Sequence, residues 1–448
     1  REVSIGTRAS EWGRLPLKER ANALKALTAE LARREYDLIE AEVGDTGRSR
    51  FQSRNGDGLR ATNLFSTYAE LALGMEHRSR FINNGPGAEG FWYTNRLPKG
   101  VIACICPWNM PLLMAVMKVA PALIMGNAAI LKPSEESPSS ATVLAEAIEA
   151  CGFPPGVFSL VHGFGAGSAG GFLTSHPDVD AITFTGESGT GAAIMKVAAN
   201  GLREVSLELG GKNPIIVFDD ANMDRVIEGV TRSAFFNCGQ ICFCTERAYV
   251  HASRFDEFVD RLAQVARSIV IGEPDHQGFS IGPLISKKHQ AKVSSLLDTV
   301  TRDGGRFVAG GGIPSFGDAR DQGAFIEPSV AVGLAQDAQF LRDEVFGPVV
   351  HVAPFETEAE AIALANDTPF GLAASVWTSS IDRAHRVPPQ IRAGHVWVNS
   401  WQFRDLISPL SGAGQSGIGE QGGRNSLEFC SLSQTVTTRV FADEEQGA

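Results

Sequence analysis

The sequence predicts an α/β protein built from two doubly wound domains with a small β arm, and three observations lead there. Strand-like and helix-like segments alternate between residues 128 and 186. The alternation restarts with longer helices after VSLELGGKNPIIVF, residues 205–218. Two further segments, FWYTNRLPKG (91–100) and SQTVTTRVF (433–441), alternate as strands outside both cores. Strand, helix, strand, helix implies a mostly parallel sheet covered on both faces. At 448 residues the chain is too long for one simple core. The expected organisation is one α/β domain over 1–79 and 100–210, a second over 211–425, and an arm formed by 80–99 and 426–448.

Each element has a local reason. Leu17, Ala21, Leu24, Leu27 and Leu31 recur at helical spacing, so a first helix should run toward Glu42 and stop near Gly44. The apolar run 112–131 has roughly the length that crosses a bilayer, but Lys118, Pro121, Gly126 and Asn127 interrupt it. A buried helix, a turn at Gly126-Asn127 and a buried strand AAIL are expected instead. Strand AAILKPS (128–134) leads to a helix that Ser137 can cap, with Pro138 in its first turn and Gly152 closing it. Strand VFSLVHG (157–163), helix AGGFLTSH and strand AITFTG (181–186) repeat the theme. Later helices are expected over Asp224 to Asn237, Phe255 to Ile269 and Ile285 to Asp303, with strands near 247–251 and 348–353. The two outer strands are candidates for an oligomerisation arm, because an exposed strand edge usually finds a partner.

Composition narrows the function. A formal charge of −11 without a Lys/Arg cluster removes the electrostatic footprint that nucleic acid or an anionic membrane needs, so a small-molecule partner is expected. Seven scattered cysteines fit reduced thiols in a cytosol rather than a disulfide framework. No charged segment followed by an apolar run opens the chain, and a cytoplasmic location is expected.

The chemistry centres on FFNCGQICFC, residues 235–244. Cys238, Cys242 and Cys244 lack the second ligand pair or nearby histidine that zinc would need. Cys238 and Cys244 read as buried small hydrophobes. Cys242 follows Gly239-Gln240, a turn able to aim a thiol into a cleft, and Glu208 in LELGGKNP could activate water. A thiol nucleophile and a carboxylate base are the minimum for covalent acyl chemistry. A cysteine hydrolase would want a histidine base, and none of the nine histidines stands in a recognisable block with Cys242. GxxxxGK[ST] is absent, which excludes a P-loop enzyme.

GQICF, LELGGKNP, PWNMP (107–111), KPSE (132–135), FTGESGTG (184–191), EVFGPV (344–349) and WVNSW (397–401) resemble, in order and spacing, the motifs of the NAD(P)-dependent aldehyde dehydrogenase superfamily. The resemblance covers essentially the whole chain, and within the superfamily FFNCGQICFCTER, EVSLELGGKNP, SWQFRD and QSGIGEQGGRNSLEF resemble most the 2-aminomuconate and 2-hydroxymuconate 6-semialdehyde dehydrogenases. It implies Cys242 as nucleophile, Glu208 as general base for thioester hydrolysis, and the Asn109 side chain with the Cys242 backbone N–H as oxyanion hole. It also implies NAD. Gly186 and Gly191 would approach the pyrophosphate, Lys132 and Glu135 would hold the adenine ribose, and Glu344 beside Phe346 would hold the nicotinamide ribose. A carboxylate at Glu135 disfavours a 2′-phosphate.

HGFGAGSAGG also fits GxGxxG through Gly165, Gly167 and Gly170 after a strand. The resemblance leaves Gly165 only lining the adenosine side. By the same resemblance Arg60 and Arg404 line the substrate entrance, where arginine suits capture of a carboxylate. A dicarboxylic semialdehyde is the expected substrate and a homodimer or homotetramer the expected assembly. The alternatives are a dehydrogenase for a neutral or monocarboxylic aldehyde and a non-catalytic nucleotide-binding descendant. Two departures from the family pattern stand out: Glu187 where a serine is usual, and PLSGAGQSG at 409–417 in place of the usual PFGG-x-K-x-SG.

Overall fold

The computed structural model describes residues 11–85 and 88–440, so the two ends of the expected first domain and arm, 1–10 and 441–448, lie outside the described residues. A six-stranded sheet runs in the order 417–418, 204–208, 181–185, 101–105, 128–132, 158–160. All its neighbours are parallel except the first pair. A seven-stranded sheet runs 306–309, 329–332, 349–355, 245–251, 213–217, 373–377, 395–398, antiparallel only at its first pair. The third sheet is antiparallel and holds 79–83, 89–98 and 431–440.

Strands Val101–Ile105, Ala128–Lys132 and Ala181–Thr185 are buried at every position. That is why they read as continuous apolar runs: helices cover both faces of the sheet. The run at 112–131 is the expected buried helix, Pro111–Ile124, then a turn and strand Ala128–Lys132. Asn127 fixes that turn. Its side chain accepts from the Gly100 N–H and donates to the carbonyls of Ala122 and Cys430. No helix among the described residues is long and apolar enough to cross a membrane.

Two local expectations change. The first helix is two helices, Leu17–Arg33 and Glu35–Thr46, broken at Arg34, whose guanidinium reaches Glu30 at 2.7 Å and Glu146 at 3.1 Å. It ends at Gly47 rather than near Gly44, because Gly47 takes the left-handed conformation and packs on Pro283, leaving no room for a Cβ. The helix Ser139–Ala150 is capped from a distance. Asp45 accepts from the Ser139 N–H and hydroxyl, both at 2.8 Å, while Ser137 donates to the Trp108 carbonyl.

The strand order places the reversal of the six-stranded sheet between 101–105 and 181–185. Loops leaving the carboxyl ends of those strands open a crevice there, the usual ligand position in open α/β sheets. Strand 204–208 leaves this sheet through Leu209, Gly210 and Gly211 and enters the other as strand 213–217. The loops preceding strands 245–251 and 349–355 face the same crevice.

Candidate active site

The crevice encloses a cavity of about 530 Å³ lined from both sheets. Cys242, Asn109, Glu135, Gly186, Glu344, Phe346 and Arg404 are among its lining residues. The others named from sequence have different positions. Glu208 ends strand 204–208 and is 5% exposed. Lys132 is buried, 3.6 Å from Glu135. Gly191 lies under Leu209, where a Cβ would clash, so the helix Ser188–Ala199 can press against the segment after Glu208. Gly165 and Arg60 are exposed and outside the cavity lining. The Gly165 turn is closed on itself, with the N–H groups of Gly170 and Gly171 donating to the carbonyls of Phe164 and Gly165.

The thiol is presented by a strained turn. Asn237, Cys238 and Gly239 adopt φ of 52°, 56° and 70° in succession, and a Cβ on Gly239 would fall on the Gly347 carbonyl. Left-handed non-glycine residues persist only where surroundings over-determine them. Here Asn237 donates to the carbonyls of Asn109 and Gln240, and the Gln240 amide donates to Asn237 and accepts from the Ile285 N–H. Asn213 donates to the carbonyls of Cys242 and Cys244.

Asn109 is held by the same network. Its Nδ2 donates to the Gln240 carbonyl at 2.8 Å, and its own carbonyl accepts from Arg48, which pairs with the buried Glu42. Glu42 in turn accepts from the Leu112 N–H. An amide carries two N–H donors, so one is committed to orientation and the other is available to a ligand.

Burial raises every thiol near the site, and what sets Cys242 apart is that it lines the cavity. Burial pushes the Cys242 thiol up to about 12, with the Glu344 and Glu208 carboxylates acting the same way and Arg404 against them. Burial likewise pushes Glu208 up to about 8, opposed by Lys118 and Arg404. Neither Glu208 carboxylate oxygen has a hydrogen-bond partner among the described residues. A buried carboxylate normally finds a donor, so this one is suited to a transient partner such as water. Cys238 and Cys244 are fully buried, and burial raises both thiols.

The residues present fit a dinucleotide. Gly210 lies flat against Glu344, where any Cβ would meet the carboxylate, and the Gly211 N–H donates to Glu344 Oε1 at 2.8 Å. Glu135 lines the cavity as an acceptor with the buried Lys132 ammonium 3.6 Å from it, and Glu344 and Phe346 line the same cavity as the thiol. Sequence reasoning missed Trp108, His289 and Lys292. His289 donates Nε2–H to the Phe346 carbonyl at 2.8 Å and packs edge-on to Trp108, and burial holds its pKa down, so it is a neutral donor. Trp108 was inside PWNMP, the available signal. Lys292 pairs with Glu187 at 3.1 Å, so the unusual acid is neutralised by a residue 105 positions away.

The chain belongs to the aldehyde dehydrogenase family: the family model matches residues 6–436. It is 46% identical over 440 residues to a 2-aminomuconic 6-semialdehyde dehydrogenase of Pseudomonas sp, covering 98% of this chain and 90% of that one. It is 47% identical over 446 residues to a 2-hydroxymuconic semialdehyde dehydrogenase of Pseudomonas putida, covering 98% and 92%. Among solved structures, the NAD+ complex of an aldehyde dehydrogenase from Bacillus cereus superposes with a TM-score of 0.93 at 32% identity, covering 98% of this chain and 88% of that one. The expectations of an α/β aldehyde dehydrogenase fold and an oxidoreductase acting on aldehydes are borne out.

Proposed function

We propose that the protein oxidises a 2-hydroxy- or 2-aminomuconate 6-semialdehyde to the diacid with NAD, through a thiohemiacetal and a thioester on Cys242. The named relatives at 46% and 47% identity support the substrate class. The single structural observation that carries it is Arg404, which lines the cavity with Cys242 and stacks its guanidinium 5.1 Å from the ring centre of Phe243, the residue after the nucleophile. A stacked, half-buried guanidinium presents a fixed fork to a carboxylate. Arg60 stands on the helix Asp57–Thr62, which packs against the helix beginning just after Asn109, and is proposed as an outer carboxylate contact.

In this reading Cys242 gives its thiol proton to solvent as Sγ adds to the aldehyde carbon. Asn109 Nδ2–H and the Cys242 N–H gather the oxyanion, where charge develops. NAD bound beside Glu344 and Phe346 would supply the acceptor for the hydride that leaves that carbon. Glu208 then takes a proton from water, the hydroxide adds to the thioester carbonyl, and the C–S bond breaks to release the acid as Glu208 returns its proton to the Cys242 thiolate. Lys132, Glu135, Gly165, Gly186 and Gly191 are proposed to hold the adenosine and pyrophosphate, and Glu344 and Phe346 the nicotinamide ribose.

We assign 1–79 and 100–210 to cofactor binding, 211–425 to catalysis and 80–99 with 426–448 to an oligomerisation arm of a cytoplasmic homodimer or homotetramer. The long ladder from Glu89 with Val440 to Pro98 with Ser431, and the exposed Phe81 and Leu432, support the arm.

Because Glu208 must be ionised to act as a base and sits near 8, the hydrolysis rate should rise with pH through about 8 and level off above it. Single-turnover release of acid from the preformed thioester checks this, and a flat profile between pH 6.5 and 9.5 would place the base elsewhere. The substrate assignment is tested by kcat/KM for 2-hydroxymuconate 6-semialdehyde against a neutral unsaturated aldehyde of similar length. Arg404→Met should cost the carboxylated substrate about 2–3 kcal/mol, roughly 30- to 150-fold, because it removes a charge-assisted pair. The neutral aldehyde should change little. Equal losses on both would return the neutral-aldehyde reading.

A further inference from the structure

We propose that Glu246 is a positioning residue for cofactor binding: its carboxylate fixes the loop that carries Glu344 and Phe346. The inference rests on reading those two residues as the holders of the nicotinamide ribose. Glu246 follows the cysteine cluster on strand Thr245–His251 and is 3% exposed. Its Oε1 accepts from the Val345 N–H at 3.0 Å and the Phe346 N–H at 2.9 Å, and its Oε2 accepts from the Val345 N–H at 3.1 Å. Oε2 also pairs with Lys212, whose side chain is fully buried.

This arrangement answers a backbone question. Phe346 has φ of 57°, a conformation a bulky side chain rarely adopts. Such a residue needs its neighbours to hold it, and two successive N–H groups converging on one carboxylate do so through charge-assisted bonds. His289 holds the same residue from the other side through its carbonyl. Lys212 adds the third segment. It follows Gly211, whose N–H donates to Glu344 Oε1, so Lys212 and Glu246 tie the chain after Glu208, the strand after Cys242 and the Glu344 loop into one unit. The ammonium also lies 4.7 Å from the Phe340 ring centre, in the helix just before the loop. Without the carboxylate, the buried Val345 N–H and the partly buried Phe346 N–H lose their acceptor and Glu344 loses its frame.

Removing Glu246 alone would strand a buried ammonium, so the test pairs it with Lys212→Met. Glu246→Gln/Lys212→Met keeps an oxygen that can accept from both N–H groups, while Glu246→Ala/Lys212→Met keeps none. The alanine pair should raise the KM for NAD at least about tenfold over the glutamine pair, since an ångström of misplacement can cost up to about 10²-fold. The KM for the aldehyde should differ less than about twofold between them. Equal NAD values, a parallel rise in the aldehyde KM, or an alanine pair that fails to fold while the glutamine pair folds would each overturn the proposal. Glu344→Ala is the control. If it raises the NAD KM and the alanine pair does not, only the role of Glu246 fails. If it leaves the NAD KM unchanged, the reading of the ribose site fails and the proposal with it.

Discussion

Cys242→Ala should abolish aldehyde oxidation, lowering kcat by roughly 10⁵-fold or more, while NAD binding stays within a few-fold of the parent. The size of the effect follows from the cavity. Cys238 and Cys244 flank Cys242 in sequence but lie in the core and outside the cavity lining, so neither thiol can substitute. Cys104, Cys106 and Cys430 are equally buried. Dinucleotide affinity should survive because Lys132, Glu135 and Glu344 do not hydrogen-bond through the thiol. NADH formation against NAD binding by fluorescence checks both halves. Appreciable turnover in the variant would sink the covalent mechanism, and lost NAD binding would mean the substitution had disturbed the left-handed turn rather than removed a nucleophile.

Glu208→Gln should convert steady turnover into a burst of NADH followed by a phase slower by about 10²-fold or more. The side chain has no hydrogen-bond partner to lose among the described residues, so the variant keeps shape and burial and changes only basicity. Burial already favours the neutral carboxyl, so glutamine replaces one neutral group by another of the same shape and folding stability should not fall at neutral pH. The sign is specific. A glutamate held near 8 is mostly protonated at pH 7, so the parent enzyme works there with a minor fraction of the competent base. A linear NADH trace with one reduced rate would assign Glu208 to hydride transfer or to structure.

Much of the fold was legible because burial writes itself into residue choice. The runs at 101–105, 128–132 and 181–185 are apolar on both faces because both faces are covered. The break at Arg34 carries no glycine or proline, and Glu146, one of its partners, is distant in sequence. The Ser139 helix illustrates the same limit: Ser137 and Pro138 look like a local cap, but Asp45 supplies it. In the site, blocks of sequence located Cys242, Asn109 and Glu344, yet Lys292 opposite Glu187 could not be read from either segment alone. The GxGxxG at Gly165 matched the pattern, whereas the Gly170 N–H is spent on its own turn. Spacing reports which residues are near in the chain. It does not report which donors remain available.

The most direct measurement of the central claim is the mass of Glu208→Gln enzyme mixed with NAD and 2-hydroxymuconate 6-semialdehyde, quenched during the burst and digested. The account predicts an acyl adduct, bearing the substrate's free carboxylate, on the peptide that carries Cys242 and absent from the Cys242→Ala/Glu208→Gln enzyme. An adduct on Cys238 or Cys244, or NADH formed with no acylated cysteine, would contradict it.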